Sequence, residues 1–140
     1  MSKHLEGIQR IIRGELPVPP VARLIGFQLT SVRHGESVIE LEASDMHANP
    51  MGTLHGGILC DIADAAMGIA FASTLEDDES FTTLELKINF LRPVWKEKLR
   101  AIGKVVAQAY RAAWRLGKDD EKKRRISEIL DRATKEIEAL

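Results

Sequence analysis

From Ile58 to Phe71 the chain offers almost no polar side chain. Ile58, Leu59, Ile62, Ala63, Ala65, Ala66, Ile69, Ala70 and Phe71 cover nearly every direction around a helix. Such a helix must be buried on most sides, so the rest of the fold has to be built around it. Asn49, Pro50, Gly52 and the Gly56-Gly57 pair break regular structure just where the apolar run opens. Backbone N–H groups at a helix start lack intrahelical acceptors, and glycines leave them uncovered, which makes a ready anion or oxyanion site. Asp61 and Asp64 interrupt the run. Asp61 falls in the first turns, where a carboxylate faces the helix dipole. Asp64 falls beyond them, and a carboxylate there requires a polar cavity or a subunit interface.

The 140 residues, 44% of them hydrophobic, suit one globular domain with a real core. Twenty basic residues almost cancel 21 acidic ones, which removes any global electrostatic case for nucleic acid or an anionic membrane. The single cysteine, Cys60, has no internal disulfide partner and sits in the apolar run as a small core residue, which fits a cytoplasmic location. No signal-peptide pattern opens the chain, and its longest apolar stretch is too short and too polar to span a bilayer.

Around the central helix the pattern changes by segment. Leu5, Ile8, Ile11 and Ile12 recur at helical spacing between Lys3 and Glu15, and Pro17-Val18-Pro19-Pro20 closes that helix, a short amphipathic lid or packing element. Phe27, Leu29 and Val32, then Val38, Ile39 and Leu41, flank Arg33-His34-Gly35-Glu36 as a β-hairpin with His34 at its tip. Leu75 to Ser80 reads as a solvated acidic loop. Thr82 to Phe90 alternates with period two, placing Leu84, Leu86, Ile88 and Phe90 on one face of a half-buried strand that Arg92-Pro93 ends. Leu99 to Val106 forms the next strand after a turn at Lys96-Glu97-Lys98.

Past Gln108 the character is helical. Residues 109–116 are rich in helix formers and are closed by Gly117. Ile126, Leu130, Ala133, Ile137 and Leu140 then repeat as a heptad stripe on a charged helix laced with acid-before-base pairs at i,i+4. The stripe needs an apolar partner, which predicts an oligomer in which the tail is packed. Its regularity reads as a grafted or engineered segment, the alternatives being a natural variant or a truncated domain extended by unrelated coding sequence.

The run Asn49-Pro50-x-Gly52-x-x-His55-Gly56-Gly57, with Asp64 nine residues after His55, resembles the signature of hotdog-fold acyl-CoA thioesterases of the phenylacetate-pathway type. The resemblance extends from about Leu5 to about Gln108. It includes FTTLELKINFLRP, where Thr83 lies ten residues before Pro93, a place the family often gives to Ser or Thr. It then stops, and the last two strands of the family have no counterpart.

The fold expected is therefore α+β: a hotdog-like antiparallel sheet of about four strands wrapped around the helix from His55 to Leu75. Residues 1–108 form the domain and residues 109–140 a helical extension in place of the last two strands. The Gly56 and Gly57 amides suit the oxyanion that develops when a thioester carbonyl is attacked. Asp64 lies about 12 Å farther along the same helix, at ~1.5 Å per residue, too far to meet that oxyanion within one chain. The resemblance implies a dimer-interface site in which the glycine-rich helix start of one chain faces the Asp of the other. There Asp64 activates water or attacks directly, Thr83 holds the water or the carboxylate, and Asn49 and His55 orient the loop and the thioester. His55 also reads as a structural loop cap. Gly57 would contact substrate, and Arg92, Lys96 and Lys98 fall where the family often places the coenzyme A phosphates, although solvated charge accounts for each as well. The spacing of His47, His55, Asp61 and Asp64 matches no usual zinc pattern, and the family needs neither metal nor cofactor. The function expected is acyl-CoA hydrolysis to free acid and coenzyme A by a homodimer or higher homo-oligomer. The alternative is a catalytically impaired scaffold whose tail drives assembly.

Overall fold

The computed structural model describes residues 2–105. The helices expected at residues 109–116 and beyond Gly117, with the heptad stripe, lie outside the described residues.

The amphipathic start forms α1 (Lys3–Ile12), shorter than expected. Gly14 ends it at φ 76°, with Glu15 N–H donating to Arg10 O and Gly14 N–H to Ile11 O, the paired bonds of a left-handed helix stop. The prolines therefore do not end α1. Pro19 and Pro20 open a second helix, α2 (Pro20–Ile25), where a missing N–H costs nothing, and Gly26 closes it at φ 88°. This helix was not legible as such. The acidic loop from Leu75 to Ser80, read as merely solvated, has one structural member. Asp77 Oδ1 accepts the Lys3 N–H at 2.7 Å and its other oxygen pairs with Lys3 Nζ at 3.5 Å, pinning the start of α1.

The hairpin forms as expected: β1 (Gln28–Arg33) and β2 (Glu36–Glu42) pair antiparallel across His34-Gly35, with His34 exposed. β3 (Lys98–Lys104) pairs antiparallel with β2, matching Leu41 to Leu99, Ile39 to Ala101 and Ser37 to Gly103. Among the described residues the sheet has three strands in the order β1-β2-β3. Alternation puts Ser37, Ile39 and Leu41 on the inner face, all buried.

That face receives α3 (Gly56–Ala72) through Ile62, Ala66 and Ala70, one stripe at four-residue spacing. Among the described residues the apolar run thus buries one stripe completely rather than most sides, because their three strands cover only part of a helix about 25 Å long. Ala22, Ile25 and Phe27 complete the main core, and Ala43, Leu54 and Val94 form a smaller one. At the end of α3, Ser73 Oγ donates to Arg33 O at 3.0 Å and accepts the Gly35 N–H at 2.8 Å, tying the hairpin to the helix.

Residues Thr82–Phe90 do not form the expected strand. Leu84 is 93% exposed and Phe90 56%. Period-two alternation supplies two faces, but a strand also needs a ladder, and among the described residues none lies beside this segment. It runs instead along α3 in the opposite direction. The Phe81 ring sits edge-on to Phe71 at 5.4 Å, Thr83 bonds to Asp64, and Phe90 covers Gly56.

Glu40 joins β2 to β3, pairing with Lys98 at 2.8 Å and Arg100 at 3.6 Å. The Lys98 hydrogen bond holds the Glu40 carboxyl below its ordinary value. A depressed folded value means stability that is present above the unfolded value and lost as pH falls through the folded one. Glu40→Gln is therefore expected to lower the thermal midpoint at neutral pH and to flatten its decline between pH 6 and pH 3. Parallel curves for parent and variant in scanning calorimetry would contradict this.

Candidate active site

The loop before α3 is organised by Asn49. Its Oδ1 accepts the N–H groups of Met51 (2.9 Å) and Thr53 (3.3 Å), and its Nδ2 donates to Thr53 Oγ1 at 2.7 Å. Its carbonyl accepts from Gly52 N–H, closing a turn with Pro50 at the position where a fixed φ is favoured and Gly52 at φ 79°. Asn49 thus builds the loop. Leu54 N–H donates to Val94 O and His55 N–H to His47 O, fixing the point at which α3 begins. His47 is itself anchored, with Nδ1 accepting the Ser44 N–H at 3.1 Å and Nε2 lying 2.8 Å from Ile25 O. Accepting at Nδ1 puts the proton of the neutral ring on Nε2, which then donates to that carbonyl.

His55 is the N-cap of α3: its Nδ1 accepts the Gly57 N–H at 2.8 Å. This fulfils the cap reading and leaves Nε2–H, on an exposed side chain, as a free donor direction. It also corrects the expected amide pair. The Gly57 N–H is spent on the cap, while the Gly56 N–H has no hydrogen-bond partner among the described residues. The Phe90 ring packs over Gly56 so closely that a Cβ there would lie 3.0 Å from Cζ.

Two turns on, Asp64 is half-buried and its Oδ1 accepts from Thr83 Oγ1 at 2.8 Å. The hydrogen bond fixes one carboxylate oxygen, and Asp64 and Thr83 both line a cavity of about 800 Å³ whose other lining residues come from α1, α2, β1 and α3, with Phe81 from the segment along the helix. Asp61, on the same helix, is exposed. Asp64 and Thr83 are therefore brought together, as are His55, Gly56 and Gly57. The two groups remain separated along α3 by eight residues, about 12 Å.

Arg92, Lys96 and Lys98 each already hold a carboxylate. Arg92 makes a two-pronged pair with Glu97 at 3.0 and 2.9 Å, Lys96 meets Asp45 at 2.8 Å, and Lys98 meets Glu40. Hydrogen bonding to Arg92 pulls the Glu97 carboxyl down, and the guanidinium is raised in return. Among the described residues no three His, Cys, Asp or Glu side chains converge as a metal site, and no helix is long and apolar enough to cross a membrane. The contribution of α2 to the cavity escaped the sequence reading. The pointer was Pro20 opening, and Gly26 closing, a six-residue helix.

Residues 51–117 match the model of the thioesterase superfamily. A 1,4-dihydroxy-2-naphthoyl-CoA hydrolase from Listeria monocytogenes is 37% identical over 67 residues, 48% of this chain and 54% of that protein. The chain thus spans about half the length of that relative. A candidate esterase from Saccharolobus solfataricus is 33% identical over 106 residues, 76% of this chain and 73% of its own. The crystal structure of a candidate thioesterase from Ralstonia eutropha, described as related to phenylacetic acid degradation, superposes with a TM-score of 0.64 at 34% identity, covering 71% of this chain and 77% of that one. On these matches the chain belongs to the thioesterase superfamily with its hotdog fold.

Proposed function

We propose that this chain hydrolyses acyl-CoA thioesters at a site assembled from two copies. The observation that carries the reading is the Asp64–Thr83 pair at the rim of an apolar cavity, an oriented carboxylate beside a place for an acyl group. Water held by the free Asp64 oxygen attacks the thioester carbonyl and gives its proton to the carboxylate. The carbonyl oxygen takes the negative charge against the Gly56 N–H of the second copy. The carbon–sulfur bond then breaks, and the coenzyme A thiolate leaves and takes up the proton. The His55 Nε2–H lies on the same loop as that amide and would orient the thioester. Asn49 keeps the loop in shape, and Gly57 is the backbone against which substrate passes. Arg92, Lys96 and Lys98 would exchange carboxylate partners for coenzyme A phosphates, a trade suited above all to the planar fork of Arg92. No metal or cofactor enters the scheme. A soluble homo-oligomer in the cytoplasm, where acyl-CoA is at hand, fits it. The Listeria relative is named for a CoA-thioester hydrolysis, which supports the reaction class.

Mixing two disabled variants tests the shared site. Asp64→Asn removes the base. Gly56→Pro removes the N–H at a position where proline is accepted, the first of the helix, after a His55 already at φ −64° and ψ 130°, and its added carbons displace only the tip of the exposed Phe90 ring, 3.0 Å from the new Cβ. Each variant alone should release almost no thiol from acyl-CoA. An equal mixture, after subunit exchange, should recover about a quarter of parental activity, because half of the dimers are hybrids with one intact site of two. A mixture no more active than its parts would overturn the two-copy arrangement. A parent chain that turns over no acyl-CoA, yet forms an assembly that depends on residues beyond Gly117, would leave the scaffold reading instead.

A further inference from the structure

The ring of His47 is bound at both nitrogens, one of them by a part of the chain far from it in sequence. Nδ1 accepts the Ser44 N–H at 3.1 Å, and Nε2, 2.8 Å from Ile25 O, donates across 22 residues. Ile25 is the last residue of α2, and the final carbonyls of a helix lack amides of their own, so the ring caps that end. This helix is itself fixed, because Ala22 and Ile25 are buried in the main core. The main chain of His47 serves the loop. His47 O accepts the His55 N–H at 2.8 Å and Ala48 bridges Leu54 antiparallel, which together close the neck of the loop from Asn49 to Thr53. Gly56 comes next. One residue therefore fastens the neck that carries the His55 cap and the Gly56 amide to an element seated in the core. The other fastening on the same turn, Asp45 to Lys96, joins two exposed side chains and holds weakly.

We propose that His47 is a positioning residue for this site: its Nε2–H bond to Ile25 O sets where the Gly56 amide and the His55 ring stand. The proposal rests on the acyl-CoA reading of that amide and adds the residue that keeps it aimed. The role belongs to one ring nitrogen. Nδ1 reaches Ser44, which opens the same short turn, so that bond shapes the turn alone. Nε2 reaches a different element. An oxyanion donor has to stand at hydrogen-bonding distance from the charge as it develops, and a displacement of about 1 Å costs up to about 10²-fold in rate. Contacts to the rest of the substrate survive such a displacement. The loss therefore falls on kcat more than on KM.

His47→Gln, His47→Asn and His47→Leu are to be compared with the parent on octanoyl-CoA. The longer amide of His47→Gln lies about where ring Nε2 lies and still donates to Ile25 O, that of His47→Asn reaches only the Ser44 N–H, and His47→Leu keeps bulk without either bond. In His47→Asn and His47→Leu, kcat is expected to fall about 10–100-fold with KM within about threefold of the parent, whereas His47→Gln keeps both within about threefold. A second readout needs no turnover. The His55 N–H, bonded to His47 O, should exchange with deuterium at least about tenfold faster in His47→Asn and His47→Leu, with the Gly56 amide resonance displaced, and His47→Gln should keep both near the parent. Equal losses in His47→Gln and His47→Asn, or parental kcat and exchange in folded His47→Asn, would overturn the proposal. A lower thermal midpoint in all three with kcat per folded molecule unchanged would do the same, since that is the mark of a residue of purely structural worth. Should His47→Leu fail to fold, His47→Gln and His47→Asn still decide, because each keeps one of the two ring bonds. If the parent turns over no octanoyl-CoA, the reaction assigned to the site fails, and the exchange of the His55 N–H still decides whether His47 holds the loop.

Discussion

Asp64→Asn is expected to lower kcat for acyl-CoA hydrolysis by about 10²–10⁴, the usual worth of a positioned base, with the thermal midpoint nearly unchanged. The two side chains have almost the same shape. The Thr83 hydroxyl, which donates to Oδ1 at 2.8 Å, can donate equally to the amide oxygen of Asn, so packing at the rim persists. What disappears is the negative charge and the ability to accept a proton from water. KM should change little, because the coenzyme A end and the acyl cavity are untouched, and the loss should fall on kcat and kcat/KM together. Thiol release followed at saturating substrate, alongside a melting curve, reads both quantities. Hydrolysis by the folded variant at the parental rate would remove Asp64 from the mechanism.

The largest expected effect on stability is at Gly103. β3 approaches α3 so closely that a Cβ on residue 103 would lie 2.1 Å from Ala66 O and 2.4 Å from Ala66 C. Both atoms are backbone and cannot swing aside, so Gly103→Ala has to separate the strand from the helix. The separation also strains the buried bond from Ser37 Oγ to Ala66 O, 2.7 Å long and directly across the β2–β3 pairing. Overpacking of this kind costs about 1–3 kcal/mol, and a disturbed buried hydrogen bond adds about 1–3 kcal/mol. For a domain of this size each kcal/mol lowers the midpoint by ~4–8 °C, so a fall of at least about 10 °C is expected in scanning calorimetry. Gly7→Ala is the control. It lies inside α1 with nothing within 4 Å of its added Cβ, and should stabilise by about 0.5–1 kcal/mol. Similar midpoints for Gly103→Ala and the parent would show that the helix and sheet can part without cost.

The elements that read clearly in the sequence are those whose signal is local. The glycine pair and the apolar run marked α3 to within a few residues, and alternation either side of His34-Gly35 marked the hairpin. Asp64 stood out as a carboxylate in an apolar helix, and its partner Thr83 could be named from the motif. The failures have equally physical causes. Thr82 to Phe90 has the composition of a strand, but pairing is a property of two segments, and no alternation within one can supply the other. Gly14 ends α1 three residues before a proline cluster that looked the stronger stop, because a left-handed residue can satisfy the last carbonyls at once. The Gly57 amide looked free because nothing in a sequence shows where a histidine ring turns. Its neighbour His55 turns back onto it. The cavity was hidden for a fourth reason, since it exists only where α1 and α2 meet α3 across long intervals of chain.

The placing of β2 in the middle of the sheet has a consequence for the chain during its synthesis. Its hairpin partner β1 is made just before it, but β3 begins more than about fifty residues after β2 ends. Until residues 98–104 leave the ribosome, β2 keeps an open row of N–H and C=O groups on the side that β3 will take. At ~5–20 residues per second that interval lasts several seconds, and it sets the length of the window in which a nascent chain can pair with a neighbour on the same polysome. Slow translation between Glu42 and Lys98 therefore lengthens the exposure of that edge, and a stall before β3 leaves it unpaired.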